Sequence, residues 1–155
     1  MINSRDVAEL SPPARQVCLA HIAACKAAGI DIIVTSTYRD RESQDALFAI
    51  GRTADLQKPR VTKARGGQSW HNFRVAYDVV PVVNGKAVWD TQNPLWKEVI
   101  RIGKECGAEA GADWPGFPDF PHFQMLPTEL KGKKDSVALP IADARFTKSG
   151  TIFEV

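Results

Sequence analysis

No run of this sequence approaches the ~20 consecutive apolar residues that a membrane-spanning helix needs, so no membrane insertion is expected. An excess of either charge is also missing. Twenty basic against 18 acidic residues leave a formal net charge of +2. That is too little to argue for nucleic acid and suits only mild attraction to an anionic polymer. MINSRDVAEL, at the N-terminus, carries acids where a signal peptide needs a basic and then an apolar run, so a start in the cytoplasm is expected. Cysteine is scarce: three residues, widely spaced, do not form a disulfide framework. Histidine is equally scarce, at three. What remains is ordinary: 155 residues, 44% of them hydrophobic, suffice for one domain that buries a core without staples.

Cys18, His21 and Cys25 invite a metal reading, but helical rise separates positions seven apart by roughly 10 Å along the axis. One zinc with bonds near ~2.3 Å does not span that distance. With Ala14, Val17 and Ala28 these residues make one apolar stripe at helical spacing, so packing is the expected role. Ser11-Pro12 starts that helix and Gly29 stops it. β-Branched residues from Ile30 to Thr37 predict a strand, and Asp40 caps a second helix to about Ile50. "RTADLQKPRVTKARGGQ", residues 52–68, reads as a long basic loop, which in a compact domain tends to be functional or mobile. Asn84-Gly85 between apolar runs predicts a hairpin, while Pro81 marks an open side or a bulge in its first strand. Asn93-Pro94 opens a third helix that Gly107 ends, and two short strands are expected before Met125. "RFT-KSG-TIFEV" at the C-terminus reads as a small hairpin. Helices interleaved with an antiparallel hairpin argue an α+β fold: one domain, a small antiparallel sheet and about three helices.

The histidines outside the helix stripe are informative. "SWHNFRVAYD", residues 69–78, places His71 seven positions before Asp78, and "DFPHFQM" places Asp119 three before His122. His71, Asp78 and His122 would give two imidazoles and one carboxylate, the make-up of a catalytic zinc site with a fourth position open. Asp119 is then the candidate base beside that position. The alternative is a surface histidine and a hydrogen-bonded strand aspartate that never meet. Spacing leaves both readings open.

Three blocks carry a resemblance. "S-x-H-x(4)-A-x-D", the downstream "D-x-P-H-F", and "TSTYRDRESQDALFAIGRT" together resemble the zinc peptidases of the D-alanyl-D-alanine carboxypeptidase family. Within it the chain is most similar to phage L-alanyl-D-glutamate endopeptidases, the endolysins. The likeness covers roughly residues 10–125. It implies that family's fold with a zinc in a cleft, with His71, Asp78 and His122 as ligands and Asp119 as general base and proton carrier. It also implies that Arg39 faces the substrate as an oxyanion or carboxylate partner, with Ser69 and Gln44 as further substrate contacts. The bland readings are a salt bridge at Arg39, loop capping at Ser69 and helix support at Gln44.

Two positions depart from the family. Arg74 stands where glycine is common, and would be strained if that position needs a positive φ. Gln124 stands where many relatives have an acid. The expected organisation is a catalytic domain over residues 1–126 and an extension, 127–155, packed on it. The expected function is hydrolysis of peptidoglycan stem peptides by a monomeric zinc enzyme, at the L-alanyl-D-glutamate bond, for lysis of a phage host. The protein would reach the wall through a separately made membrane pore. The rivals are a D-alanyl-D-alanine carboxypeptidase with the same metal chemistry and a non-catalytic wall binder.

Overall fold

Pro12 at a first turn, where its missing N–H is no loss, and Gly29 at φ +79° bracket the first helix, α1 (Pro12–Ala27). The computed structural model describes residues 1–153. After α1 come β1 (Asp31–Ser36), α2 (Arg41–Ala49), β2 (Ala76–Val83), β3 (Lys86–Ala87), α3 (Leu95–Glu105), β4 (Glu109–Ala110), β5 (His122–Gln124) and α4 (Asp135–Ser149). One antiparallel sheet runs β1-β2-β5-β4, with β3 on the end of β2. The α+β architecture is as expected. Asp40 caps α2 by accepting from the Ser43 N–H, and Asn84 and Gly85 at φ +53° and +76° form the tight β2–β3 turn.

Proline is tolerated inside β2 for a local reason. Pairing with β5 covers only Ala76–Asp78, so Pro81 lies beyond its end, and its carbonyl accepts from the Val88 N–H. The reciprocal bond, for which proline has no N–H, is replaced by the Trp96 indole N–H, which donates to the Val88 carbonyl (3.0 Å).

Strand alternation sorts the side chains of β2 and β5. Tyr77, Val79 and Phe123 point into a core made with Val17, Cys18 and Cys25 of α1 and Val99 and Ile102 of α3. Asp78, His122 and Gln124 therefore take the opposite face. Cys18 and Cys25 are buried packing residues, and no cysteine is bonded to another. His21 is buried too, with its ring bonded to the Tyr77 hydroxyl (2.9 Å) and the Val99 carbonyl (2.8 Å).

The C-terminal hairpin is not formed. Residues 135–149 are helical instead, and the last two residues of that expected hairpin lie outside the described ones. Ala138 and Ala142, four apart, face Trp70, Phe73, Val75 and Leu130. Gly150 in the left-handed region stops the helix. Pro140 and the small residues hid this stripe, because they blunt the helical pattern without preventing the packing. Asp135 at the start of α4 accepts from the Trp70 indole N–H (3.2 Å), and Asp143 pairs with Arg41.

Candidate metal centre and active-site cleft

His71 stands on a single helical turn, Trp70–Phe73, that Ser69 and Asn72 close as a reciprocal cap. Asn72 is buried and fully used. Its Oδ1 accepts from the N–H groups of Gly67 and Ser69, and its Nδ2 donates to the carbonyls of Arg39 and Asp40. It therefore ties the end of the basic loop, the turn bearing His71 and the Arg39 segment together. Asp78 and His122 are direct cross-strand partners on β2 and β5. A bulge between Val34 and Ser36 sets Ser36 beside Asp78 on β1.

These elements bring His71, Asp78 and His122 together, with one ligand atom of each within 4.8 Å of the others. Asp78 Oδ1 lies 3.1 Å from His71 Nε2 and 3.5 Å from His122 Nδ1. The far nitrogen of each ring is engaged. His71 Nδ1 donates to the Thr37 carbonyl (2.8 Å) and His122 Nε2 to Gln124 Oε1 (2.7 Å). Each bond fixes its ring so that the other nitrogen faces Asp78, where it can donate to the carboxylate or, once it gives up its proton, turn its lone pair to a metal. Two neutral imidazoles and a carboxylate in this geometry fit a divalent ion.

Burial works against an ionised Asp78, but the charges and hydrogen bonds of His71 and His122 prevail and hold its carboxyl well below the usual carboxylate range. For His122, burial works to lower the pKa, yet the bond and charge of Asp78, helped by Gln124, raise it above the ordinary histidine value.

Asp119 shares the cleft. Although the residue is exposed overall, desolvation of its carboxyl in the cleft, aided by the charge of Asp78, raises it above the usual range against the lowering influence of His122, His71 and Arg39. Its turn is held by Gly111, whose carbonyl accepts from the Asp119 N–H (2.9 Å). A Cβ at Gly111 would stand 2.5 Å from the Asp119 carbonyl oxygen and 2.9 Å from His122 Cβ. Only glycine lets the two chains approach this closely.

Arg39 lines the same cleft. It donates to Gln44 Oε1 (2.9 Å) and Ser36 Oγ (3.1 Å), while its buried Nε has no partner among the described residues. Burial lowers its pKa, opposed by the charges of Asp78 and Asp119. Gln44 is 1% exposed, with its Nε2 donating to the Ala64 carbonyl (2.8 Å). Both ends of that amide are thus spent inside the protein, holding Arg39 and the basic loop. Ser69 Oγ accepts from the His71 N–H (3.3 Å) and lines the cleft. The cleft has a volume of about 940 Å³ and is walled by loop 52–68 on one side and by Trp114 and Phe117 on another. Trp114 packs its ring 4.7 Å from that of His122.

Both departures have structural answers. Arg74 does sit in the left-handed region, at φ +61°, a conformation that costs a non-glycine residue about 1–2 kcal/mol. Its guanidinium lies 3.8 Å over the Tyr38 ring and pairs with Glu9 at 2.6 Å, which offsets that cost. Gln124 takes the His122 proton bond and passes its own amide N–H to Glu109 (3.1 Å). The acid is present, one link further out. Nothing in the sequence marked Glu109, Gly111 or the Thr37 carbonyl for these tasks.

The comparisons with known proteins agree with this geometry. A family profile described as D-alanyl-D-alanine carboxypeptidase matches residues 62–125, a stretch that holds the whole cluster and Asp119. A peptidoglycan L-alanyl-D-glutamate endopeptidase of Bacillus subtilis is 39% identical over 127 residues, covering 77% of this chain and 75% of that protein. An L-alanyl-D-glutamate peptidase of Listeria phage A118 is 29% identical over 133 residues, covering 80% of this chain and 43% of the phage protein. The crystal structure of an L-Ala D-Glu endopeptidase from Serratia marcescens shares the fold, with a TM-score of 0.55 at 20% identity over 80% of this chain and 88% of the other. With a relative this close over most of both lengths, and the cluster in place, the chain belongs to the D-alanyl-D-alanine carboxypeptidase family of metallopeptidases.

Proposed function

We propose that the protein is a zinc endopeptidase that cleaves the L-alanyl-D-glutamate bond of peptidoglycan stem peptides. The observation that carries the reading is the His71–Asp78–His122 cluster, with both ring orientations held from behind, opening beside Asp119 in one cleft. When bound, zinc supplies Lewis-acid polarisation and makes hydroxide available near neutral pH. The chain's own residues do the rest. Asp119 takes the proton of the attacking water and hands it to the departing amine nitrogen. Arg39, held by Gln44 and Ser36, offers its guanidinium to the carbonyl oxygen on which charge develops. Trp114 and Phe117 line the cleft beside these groups.

Digestion of purified peptidoglycan, followed by mass analysis of the products and their new amino termini, tests the reading. New D-glutamate amino termini are expected; free D-alanine would instead mean a carboxypeptidase, and no release a binder. For biological role we propose host-wall lysis by a phage, supported by the phage relative. The greater identity to a Bacillus enzyme favours a second role with the same chemistry, turnover of a bacterium's own wall.

Metal affinity should depend on pH in a defined direction. In the metal-free protein His122 holds its proton to above the ordinary histidine range, and zinc must displace it. Apparent affinity should therefore fall as pH drops through that raised value, by about tenfold per pH unit for one displaced proton. Zinc titration against a chromophoric chelator between about pH 5.5 and 8 measures the slope.

A further inference from the structure

Loop 52–68 carries Arg52, Lys58, Arg60, Lys63 and Arg65, and among the described residues only Lys58 meets a carboxylate, Asp55 at 3.8 Å. The loop is nevertheless fastened. The Gln44 amide donates to the Ala64 carbonyl, the Gly66 N–H to Asp45 Oδ1 (2.7 Å) and the Gly51 N–H to the Ala54 carbonyl (2.8 Å). The Arg52 guanidinium lies 3.8 Å over the Phe48 ring and donates to the Phe48 carbonyl (2.6 Å). Lys63 stands 3.5 Å from the Phe117 ring. Such contacts hold a cation in place without cancelling its charge. Like charges gathered on a fastened loop repel one another, and an anion drawn between them relieves that repulsion. Arg52, Arg60 and Lys63 all line the cleft that holds the metal cluster.

The proposed substrate is asymmetric in charge. In a stem peptide continued through the glutamate side chain, D-glutamate keeps a free α-carboxylate next to the scissile amide. Further carboxylates lie beyond it, whereas the alanine side brings none. We propose that Arg52, Arg60 and Lys63 bind this acidic, leaving-amine half of the substrate and so select stem peptides whose glutamate is not amidated. The inference rests on the endopeptidase reading above and adds to it an orientation and a chemical preference.

Two synthetic stem peptides that differ only in a free or amidated glutamate α-carboxyl provide the test, cleaved by the zinc-loaded protein. The free acid should be preferred by roughly tenfold or more in kcat/KM, chiefly through KM. The preference should shrink as salt screens the exposed charges. Arg60 and Lys63 are exposed, so the combined Arg60→Gln and Lys63→Gln variant keeps the fold, and its preference should fall towards one. Arg60→Lys, which keeps the charge, should retain the preference. Equal rates on both peptides in the wild type, or a preference that survives the double variant, would overturn the proposal. Cleavage of neither peptide by fully loaded protein would overturn the endopeptidase reading itself, and the preference with it.

Discussion

Asp119→Asn should keep its zinc and its fold and lose at least roughly a hundredfold in kcat, the lower end of what general acid–base catalysis contributes. The argument separates two tasks. His71, Asp78 and His122 would supply the donor set, so metal content should not depend on the Asp119 side chain. Proton delivery does, because an amine anion is a very poor leaving group and the nitrogen must be protonated as the bond breaks. Asparagine fills the same space, but does not carry a proton from water to nitrogen. Asp119→Ala should behave alike, since position without proton transfer is not enough. Metal analysis, a thermal melt and turnover on purified peptidoglycan read the three properties separately. Wild-type turnover in the asparagine variant would remove Asp119 from the proton-transfer role.

His122→Ala is expected to lose the metal as well as the activity. Removing only a supporting partner of a metal ligand typically costs about 10–100-fold in affinity, so losing a ligand itself should exceed the upper figure. The wild type should hold about one zinc per chain after dialysis, and the variant close to none. His71→Ala should match it, because the two rings address the same carboxylate. The fold should survive, since the core of Tyr77, Val79 and Phe123 with α1 and α3 lies on the other face of the sheet. Zinc content equal to wild type in both variants, by elemental analysis of dialysed protein, would dismiss the site.

Legibility in the sequence followed the kind of atom that does the work. His71, Asp78, His122 and Asp119 could be picked out because histidine is scarce here and the residues sit in quotable motifs. Strand alternation and turn chemistry were likewise local enough to read, as Asn84-Gly85 shows. The supports were not legible. The Thr37 carbonyl that orients His71 belongs to the backbone, and a carbonyl has no side-chain signature. Gly111 matters only because a distant turn closes on it, and Glu109 only because Gln124 stands between it and His122. Helix α4 escapes a local reading for a different reason: Pro140 and a run of small residues argue against a helix locally, while packing on Trp70 and Phe73 decides for one.

Arg74 ties the energetics of three positions together. Glycine at that position is compatible with any neighbours, because a left-handed residue without a Cβ asks nothing of them. Arginine there meets the cost of its backbone through Glu9 and Tyr38, which receive the guanidinium. The three positions are therefore coupled in energy, because the contacts made by the acid and the ring work against the strain at position 74. Exchanging Glu9 or Tyr38 should uncover a strain that glycine at position 74 would not carry.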